Sequence, residues 1–347
     1  MTKIIKKKDI KGLLKQASKE WSIYVPQKVL GGDIWFEELS KEDKALDRIA
    51  LGDEDIIISP KGLFFPQSET MFEFDKGKIK ETLETSPKLL FGIKPCDLKG
   101  VLFADEFFKR NFEDKYYLSR AQDRLIVTIG CLKPPRPSAC FCTSAKTGPF
   151  SDGGYDLQLV DSGEAYLVEV GSLKGEKFLE KNKAFFKDTQ AGADETIGQI
   201  KSKAAKALEL KVDFEKSLEL MKDNKFIPKE NYKRISERCL YCGACLYTCP
   251  TCTCFNVFDQ SKGGKGERCR IWDGCIFSGY TRETSGHNPR EEKWIRASRR
   301  YEHKLRYDYK VAGTSGCVGC GRCLSSCPVN IGMSKFIQEI TEDRSVM

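Results

Sequence analysis

Short apolar runs separated by polar turn residues dominate the first half of the chain. Runs rich in Val, Ile and Phe are typical of strands rather than helices, and they occupy residues 22–29, 34–37, 56–59, 63–65, 89–93 and 125–129. Residues 157–160 and 165–170 flank a polar stretch, Asp161-Ser162-Gly163-Glu164, and this pattern predicts a β-hairpin. Residues 1–21 instead place apolar side chains among lysines at helical spacing, which predicts an amphipathic helix.

Two of these apolar runs are closely followed by a cysteine. Residues 89–93 precede Cys96, and residues 125–129 precede Cys131. Asp97 is the predicted N-cap of a helix that follows the first of these runs. A strand, a helix and a second strand predict an α/β domain, and ligands of such domains bind near the carboxyl ends of the strands.

The middle of the chain, residues 175–225, is charged and helical in pattern, with a break at residues 190–194. Two cysteine-rich motifs follow, and the 251–316 segment between them is too long for a hairpin loop, so we expect it to carry structure of its own. The sequence therefore predicts an α+β protein. Its predicted parts are an N-terminal α/β domain (residues 1–174), a helical connector (residues 175–230) and a C-terminal domain (residues 231–347) with the 251–316 insert.

The 16 cysteines would suggest disulfides in a short secreted protein, but this chain has 347 residues. Its N-terminal sequence MTKIIKKKDI lacks the apolar core of a secretory signal. No stretch approaches the roughly 18 apolar residues that span a membrane. We therefore expect a cytoplasmic protein without membrane insertion, in which reduced cysteines bind metal.

Eight cysteines form two copies of the motif C-x2-C-x2-C-x3-C-P, the bacterial ferredoxin signature for [4Fe-4S] clusters. The fourth cysteine of each copy ligates the other cluster in two-cluster ferredoxins. The predicted ligand sets are Cys239, Cys242, Cys245 and Cys327 for one cluster, and Cys317, Cys320, Cys323 and Cys249 for the other. Structural zinc is the alternative, but zinc sites use two cysteine pairs and do not need this run twice. The C-terminal domain is therefore predicted to be ferredoxin-like and to carry electrons.

The other eight cysteines fall into two groups of four. The first group lies near the ends of the predicted strands and makes a full ligand set for a third [4Fe-4S] cluster, with buried free cysteines or zinc as alternatives: Cys96, Cys131, Cys140 and Cys142. The second group lies in the insert: Cys252, Cys254, Cys269 and Cys275. Cys252 and Cys254 directly follow a ligand motif, so packing around the adjacent cluster is one interpretation and a fourth cluster is another.

The formal net charge of +8 counts the cysteines as neutral. A [4Fe-4S] core with four thiolates carries about −2, so two or three clusters would offset most of this surplus. Residues 296–310 interleave Arg and Lys with tyrosines, a pattern that could bind a nucleic-acid backbone. We favour a helix whose cations lie over anionic clusters or over an acidic partner protein, and we expect no nucleic-acid partner.

An ordered set of short motifs over roughly residues 60–335 resembles one protein family. The motifs are Phe65-Pro66-Gln67-Ser68-Glu69-Thr70, Gly92-Ile93-Lys94-Pro95-Cys96-Asp97-Leu98, Cys140-Phe141-Cys142, Cys249-Pro250-Thr251-Cys252-Thr253-Cys254, Arg270-Ile271-Trp272-Asp273-Gly274-Cys275 and Gly316-Cys317-Val318-Gly319-Cys320-Gly321-Arg322-Cys323. The chain resembles the iron–sulfur β subunit of cytosolic NAD(P)-linked [NiFe] hydrogenases (sulfhydrogenases), together with the iron–sulfur subunit of anaerobic sulfite reductase. Residues 285–290 are similar to a Gly-Gly-His-Asn-type stretch of that family, with Ser285 in place of the usual glycine.

The resemblance implies an electron relay in a hetero-oligomer. A flavin-containing NAD(P)-binding subunit would exchange hydride with NAD(P)H, and this chain would pass single electrons towards a catalytic subunit such as [NiFe] hydrogenase. The alternative is the iron–sulfur subunit of anaerobic sulfite reductase, or the electron-input subunit of another anaerobic reductase complex. The sequence lacks a G-x-G-x-x-G motif and a P-loop, and its two histidines form no recognisable catalytic arrangement. We therefore expect a non-catalytic electron-transfer subunit.

Overall fold

The structure is a computed structural model that describes residues 2–40, 42–222 and 227–342. Its strands are β1 (Lys3–Lys6), β2 (Ser22–Lys28), β3 (Ile34–Glu38), β4 (Ser68–Asp75), β5 (Lys78–Glu81), β6 (Lys88–Ile93), β7 (Arg124–Ile129), β8 (Leu157–Asp161), β9 (Ala165–Val170), β10 (Lys187–Asp188), β11 (Phe255–Lys262) and β12 (Lys265–Trp272). Its α-helices are α1 (Ile10–Ala17), α2 (Pro95–Lys109), α3 (Lys115–Ala121), α4 (Leu173–Lys181), α5 (Ala193–Ala207), α6 (Phe214–Lys222), α7 (Lys229–Arg238), α8 (Ala244–Tyr247), α9 (Lys293–Glu302), α10 (Asp308–Ala312), α11 (Arg322–Ser325) and α12 (Met333–Thr341). These elements confirm the predicted α+β class.

The larger sheet has the strand order β10-β1-β9-β8-β7-β6-β2-β3. Its centre is parallel, because β2, β6, β7 and β8 run in the same direction. Every residue of β6 is buried, and alternate residues face opposite sides: Leu89 and Phe91 pack into one apolar cluster and Leu90 into the other. Strands that are buried on both faces have continuous apolar sequences, which is why residues 89–93 could be recognised as a strand.

The prediction for the N-terminus was wrong in part. Residues 3–6 form β1, an antiparallel strand paired with β9 and β10, instead of the first turn of a helix. The helix is confined to Ile10–Ala17, and it buries Ile10, Leu13, Leu14 and Ala17 against the sheet. Pairing with strands more than 150 residues away decides this conformation, and helical spacing within the segment cannot reveal such a partner.

Three further local predictions were wrong. Residues 56–59 form no strand, since Ile56 makes only an isolated bridge with Ile34. Leu63 is the last residue of a 3₁₀ turn, Pro60–Leu63, which the proline begins, and Phe64 and Phe65 follow it without forming a strand. Asp97 is not the N-cap of α2: Lys94 holds that position, and Asp97 lies inside the first turn, where it is buried.

The insert carries structure of its own, as predicted. Strands β11 and β12 form a hairpin around Gly263 and Gly264, whose φ angles of 62° and 81° suit a type I′ turn. Strand β12 also pairs with β4, which gives a second, antiparallel sheet in the order β11-β12-β4-β5. The insert is therefore joined to strands from the N-terminal part of the chain, while the exact domain boundaries stay a prediction.

The C-terminal helices share an apolar cluster that includes Phe214, Tyr232, Tyr301, Leu305 and Phe336. Helix α9 continues through a π-helical segment, His303–Tyr307, into α10. Helices α8 and α11 have four residues each and belong to the two cysteine motifs. Among the helices that the structure describes, none is long and apolar enough to cross a membrane.

Candidate iron–sulfur centres

The first ferredoxin-type motif surrounds a small cavity. Cys239 follows α7, and Gly243, with a left-handed φ of 80°, begins α8, so the chain between them turns tightly. Apolar side chains that include Ile276 and Ile331 line the cavity. The four predicted ligands of the first cluster line it as well: Cys239, Cys242, Cys245 and Cys327. Because Cys327 comes from the second motif, the two motifs build this site together.

The second motif has the same local construction, with Gly321 at a φ of 76° before α11. Burial raises the pKa of the Cys317 thiol, and neighbouring Cys323, Cys320 and Cys249 raise it further. Burial also raises the pKa of Cys320 to about 12, although the adjacent Arg322 opposes the shift. The four predicted ligands of the second cluster are half-buried and lie within electrostatic reach of one another.

Several backbone amides point at these sulfurs. Tyr241 N donates to Cys239 Sγ over 3.4 Å, Met333 N to Cys323 Sγ over 3.4 Å, and Ile331 N to Cys327 Sγ over 3.5 Å. Hydrogen bonds to sulfur favour the thiolate, which is the form that binds iron. Buried thiols with raised pKa values hold their protons until a metal replaces them. Thiol sets, apolar lining and amide donors therefore fit [4Fe-4S] clusters.

A separate cavity lies at the carboxyl edge of the larger sheet. Strands β6 and β7 are parallel neighbours, so Cys96 and Cys131 lie at the same edge. Burial raises the pKa of Cys131 to about 11 and that of Cys96 well above its usual range. The proline-rich loop after Cys131 returns Cys140 and Cys142 to this place. The cavity is lined by all four of these cysteines: Cys96, Cys131, Cys140 and Cys142.

The N-terminal cavity shares a wall with the second ferredoxin-type motif. Cys320 lines the same cavity, and Phe141 N donates to Gly319 O over 2.9 Å. The Cys140 thiol donates to Cys320 O over 3.6 Å. Gly319 is required here, because a Cβ at this position would lie 2.8 Å from the Cys142 backbone. The loop that carries Cys140 and Cys142 therefore meets the second ferredoxin-type motif at the cysteines.

A buried ion pair crosses the same boundary. Arg322 donates to both carboxylate oxygens of Asp97 over 2.5 and 2.7 Å, and both side chains are at most 2 % exposed. Arg322 lies between Cys320 and Cys323, and Asp97 follows Cys96. The pair thereby fixes the position of α2 relative to the second motif. Sequence analysis missed its role and assigned Asp97 to a cap.

Three cations of the basic stretch 296–310 are buried. Arg296, Arg300 and Lys304 are spaced four residues apart along α9 and the π-helical segment, and each is less than 10 % exposed. Arg300 is in electrostatic contact with Cys245, Cys249 and Cys323, which raise its pKa. This placement agrees with the interpretation of the stretch as a helix whose cations face the cysteine sites.

The insert cysteines separate into two places. Cys252 lies beside Cys249 and lowers its pKa, and Cys275 lies beside Cys254 and lowers its pKa. Cys269 instead lies in β12, where its sulfur is 4.0 Å from Thr70 Oγ1 and 3.9 Å from Gln260 Nε2. Sequence analysis also missed Lys61, a buried lysine beside Cys252, because an isolated Pro-Lys-Gly turn carries no signal of burial.

Two comparisons with known proteins bear on these sites. A 4Fe-4S dicluster domain family matches residues 238–331, which include both ferredoxin-type motifs. The chain is also similar to the sulfhydrogenase 2 subunit beta of Pyrococcus furiosus, with 32 % identity over 308 residues. That alignment covers 88 % of this chain and 89 % of the relative.

Proposed function

The chain belongs to the sulfhydrogenase β-subunit family, and from this premise we propose that it relays single electrons inside a multi-subunit hydrogenase. In this proposal a flavin-containing NAD(P)-binding subunit lies at one end of the relay, and the other end is a catalytic [NiFe] subunit. The chain itself carries out no substrate chemistry. The match to a 4Fe-4S dicluster domain supports iron–sulfur clusters as its cofactors.

Twelve cysteines serve as iron ligands in three sets of four. Two sets belong to the ferredoxin-type motifs, and the third lies in the N-terminal cavity. The sets are Cys239, Cys242, Cys245 and Cys327; Cys317, Cys320, Cys323 and Cys249; and Cys96, Cys131, Cys140 and Cys142. Each cluster, when bound, accepts and releases one electron.

The proposal rests on the observation that the three sets of cysteines lie next to one another. Cys320 of the second set lines the cavity of the N-terminal set. Arg300 lies within electrostatic reach of the first and second sets at once, through Cys245 and Cys323. A line of neighbouring redox sites suits electron transfer through the chain, whereas isolated structural metal sites would need no such neighbours.

The surrounding residues exclude water and supply charge. Ile276, Ile331 and Tyr301 cover the first cavity, and Leu208 covers part of the N-terminal one. Reduction adds negative charge to a site, so the buried cations Arg300 and Arg322 favour the reduced state. The amide donors to Cys239, Cys323 and Cys327 act in the same direction.

Metal and cofactor analysis of the complex, isolated anaerobically from its native host by way of this chain, tests the proposal. Nickel and FAD in stoichiometric amounts are the expected result. Sirohaem without nickel would overturn the hydrogenase assignment in favour of sulfite reduction. A chain isolated alone, without nickel, flavin or haem, would overturn the relay itself.

A further inference from the structure

We propose that Cys252, Cys254 and Cys275 hold a fourth iron–sulfur cluster, in the segment between the two ferredoxin-type motifs. Cys252 and Cys254 precede β11, and Cys275 follows β12. Closure of the β11–β12 hairpin brings the two ends together, since Asp273 N donates to Cys254 O over 3.1 Å. The pairing of Phe255 with Trp272 extends this contact into the sheet.

The three sulfurs lie in one neighbourhood. The Cys254 side chain lies beside that of Cys275. Cys252 packs against the same small apolar cluster as Cys275, which is built on Leu246 and Ile276. Three thiols from two separate segments are therefore gathered under an apolar cover, as in the two ferredoxin-type sites.

Two buried lysines provide an independent reason to place an anion here. Lys61 and Lys304 are 5 % and 6 % exposed, and both ammonium groups are in electrostatic contact with Cys252 and Cys254. Lys61 Nζ donates to the carbonyl oxygens of Leu246 and Cys252, each over 3.2 Å, and lies 4.1 Å from the centre of the Trp272 ring. Lys304 Nζ donates to Thr251 O over 2.7 Å and to Thr251 Oγ1 over 2.9 Å.

Carbonyl and hydroxyl oxygens orient these ammonium groups, and the buried carboxylate of Asp308 lies within electrostatic reach of Lys304. One carboxylate does not balance two buried ammonium groups, and buried charge is retained where an opposite charge accompanies it. A cluster with cysteine thiolates carries net negative charge. Cys249 lies beside the same lysines, so the second ferredoxin-type cluster would share their charge with the fourth site.

Three cysteines define the type of cluster. Cys269 is excluded as a ligand by its place in β12, next to Thr70 and Gln260. Three thiolates suit a three-iron cluster, or a four-iron cluster whose last iron takes a different ligand. His303 is in electrostatic contact with Cys254, and imidazole is an established iron ligand in Rieske centres. A cluster here would form a side branch of the electron-transfer chain, beside Cys249 of the second ferredoxin-type site.

The test compares Cys275→Ser with Cys269→Ser in the complex isolated anaerobically. Iron, acid-labile sulfide and zinc are measured per chain, and electron paramagnetic resonance spectra are recorded during reductive titration. We expect Cys275→Ser to lose about three or four iron atoms and one spectral component, while Cys269→Ser loses none. Retention of the ferredoxin-type signals in Cys275→Ser shows that the variant is folded.

An iron content of Cys275→Ser equal to that of wild type overturns the proposal. It is also overturned if the wild-type chain contains one zinc ion that the variant lacks. If the variant does not assemble, the wild-type complex is studied by native mass spectrometry. Collisional release of this chain then gives the total mass of the cofactors bound to it. A mass of three clusters overturns the fourth site and leaves the relay intact. A mass that includes a fourth cluster supports it, and a Cys254–Cys275 disulfide in the released chain contradicts it.

Discussion

Arg300 is a buried cation that lines the cavity of the first set and lies within electrostatic reach of Cys323 of the second. We expect Arg300→Met to lower the reduction potentials of both clusters. In the wild type the positive charge of Arg300 stabilises the reduced clusters, which are more negative, and the variant lacks this charge. An interaction of about 1 kcal/mol corresponds to roughly 40 mV for a one-electron couple. Redox titration followed by electron paramagnetic resonance measures the shift.

Arg299→Met is the matched control for this substitution. The Arg299 side chain is 34 % exposed and pairs with Glu302 over 3.0 Å, away from the cysteines. Its removal should leave the potentials within a few millivolts of wild type, because solvent screens exposed charges. Equal shifts in the two variants would show that Arg300 has no special contact with the clusters.

The Asp97–Arg322 pair should be sensitive to loss of one partner. Asp97→Ala leaves the Arg322 guanidinium buried without a counter-charge, so we expect a loss of about 3–5 kcal/mol in the free energy of unfolding. The midpoint of anaerobic denaturant unfolding measures this. Asp188→Ala breaks the exposed pair with Lys3 and should cost less than about 1 kcal/mol. Similar midpoints for both variants would contradict a structural role for the buried pair.

Asp97 and Arg322 also show which contacts between residues could not be predicted from the sequence. The cysteine spacing predicted eight ligands, since three cysteines in one loop can reach a common centre. The same sequence assigned Asp97 to a helix cap, because its partner is 225 residues away and no local pattern connects them. Buried Lys61 was missed for the same reason.

At the scale of elements, the loop before α11 packs against the Cys140 loop with no room for a side chain. Gly321 has a φ of 76°, and a Cβ there would lie 2.5 Å from the carbonyl of Ala139. We expect Gly321→Ala to strain this loop and to reduce the iron content of the second and N-terminal sites together. Iron analysis and resonance spectra of the purified complex provide the measurement.

Gly198→Ala serves as the control, since Gly198 lies inside α5 with open space around it. Alanine favours helix over glycine, so this variant should keep its iron and be slightly more stable, by about 0.5–1 kcal/mol. Full iron content in Gly321→Ala would mean that the two loops can move apart without loss of the sites.

Elements were predictable where the pattern is set locally. Strands β6 and β7 are continuous apolar runs because both faces of the sheet are covered, and the β8–β9 hairpin has its turn within four residues. Strand β1 escaped prediction because its conformation depends on β9 and β10. The pairing of β12, in the insert, with β4 was not predicted for the same reason. The length of the insert predicted only that it would contain secondary structure.

At the scale of the whole molecule, the cores differ in their dependence on cofactors. The two apolar clusters on the faces of the larger sheet contain none of the proposed ligands, whereas the C-terminal cluster packs against Cys317 and Cys323. We expect iron chelation to increase hydrogen exchange in residues 239–249 and 317–327 and to leave β6 and β7 protected. Mass spectrometry of exchanged, chelated and mock-treated samples measures the difference. Equal loss of protection in β6 would show that the sheet also depends on iron.

The shared wall between Cys320 and the N-terminal cavity has a consequence for how the protein is made. Cys96 and Cys131 leave the ribosome long before Cys320 and Arg322, the residues that close their cavity. At about 5–20 residues per second, the 225 residues between Asp97 and Arg322 take roughly 10 to 45 seconds to synthesise. During that interval the early thiols are exposed to oxygen and stray metals. The N-terminal cluster site that we propose can therefore be completed only after residue 322 has been synthesised, and a chain truncated before residue 320 would leave these cysteines exposed.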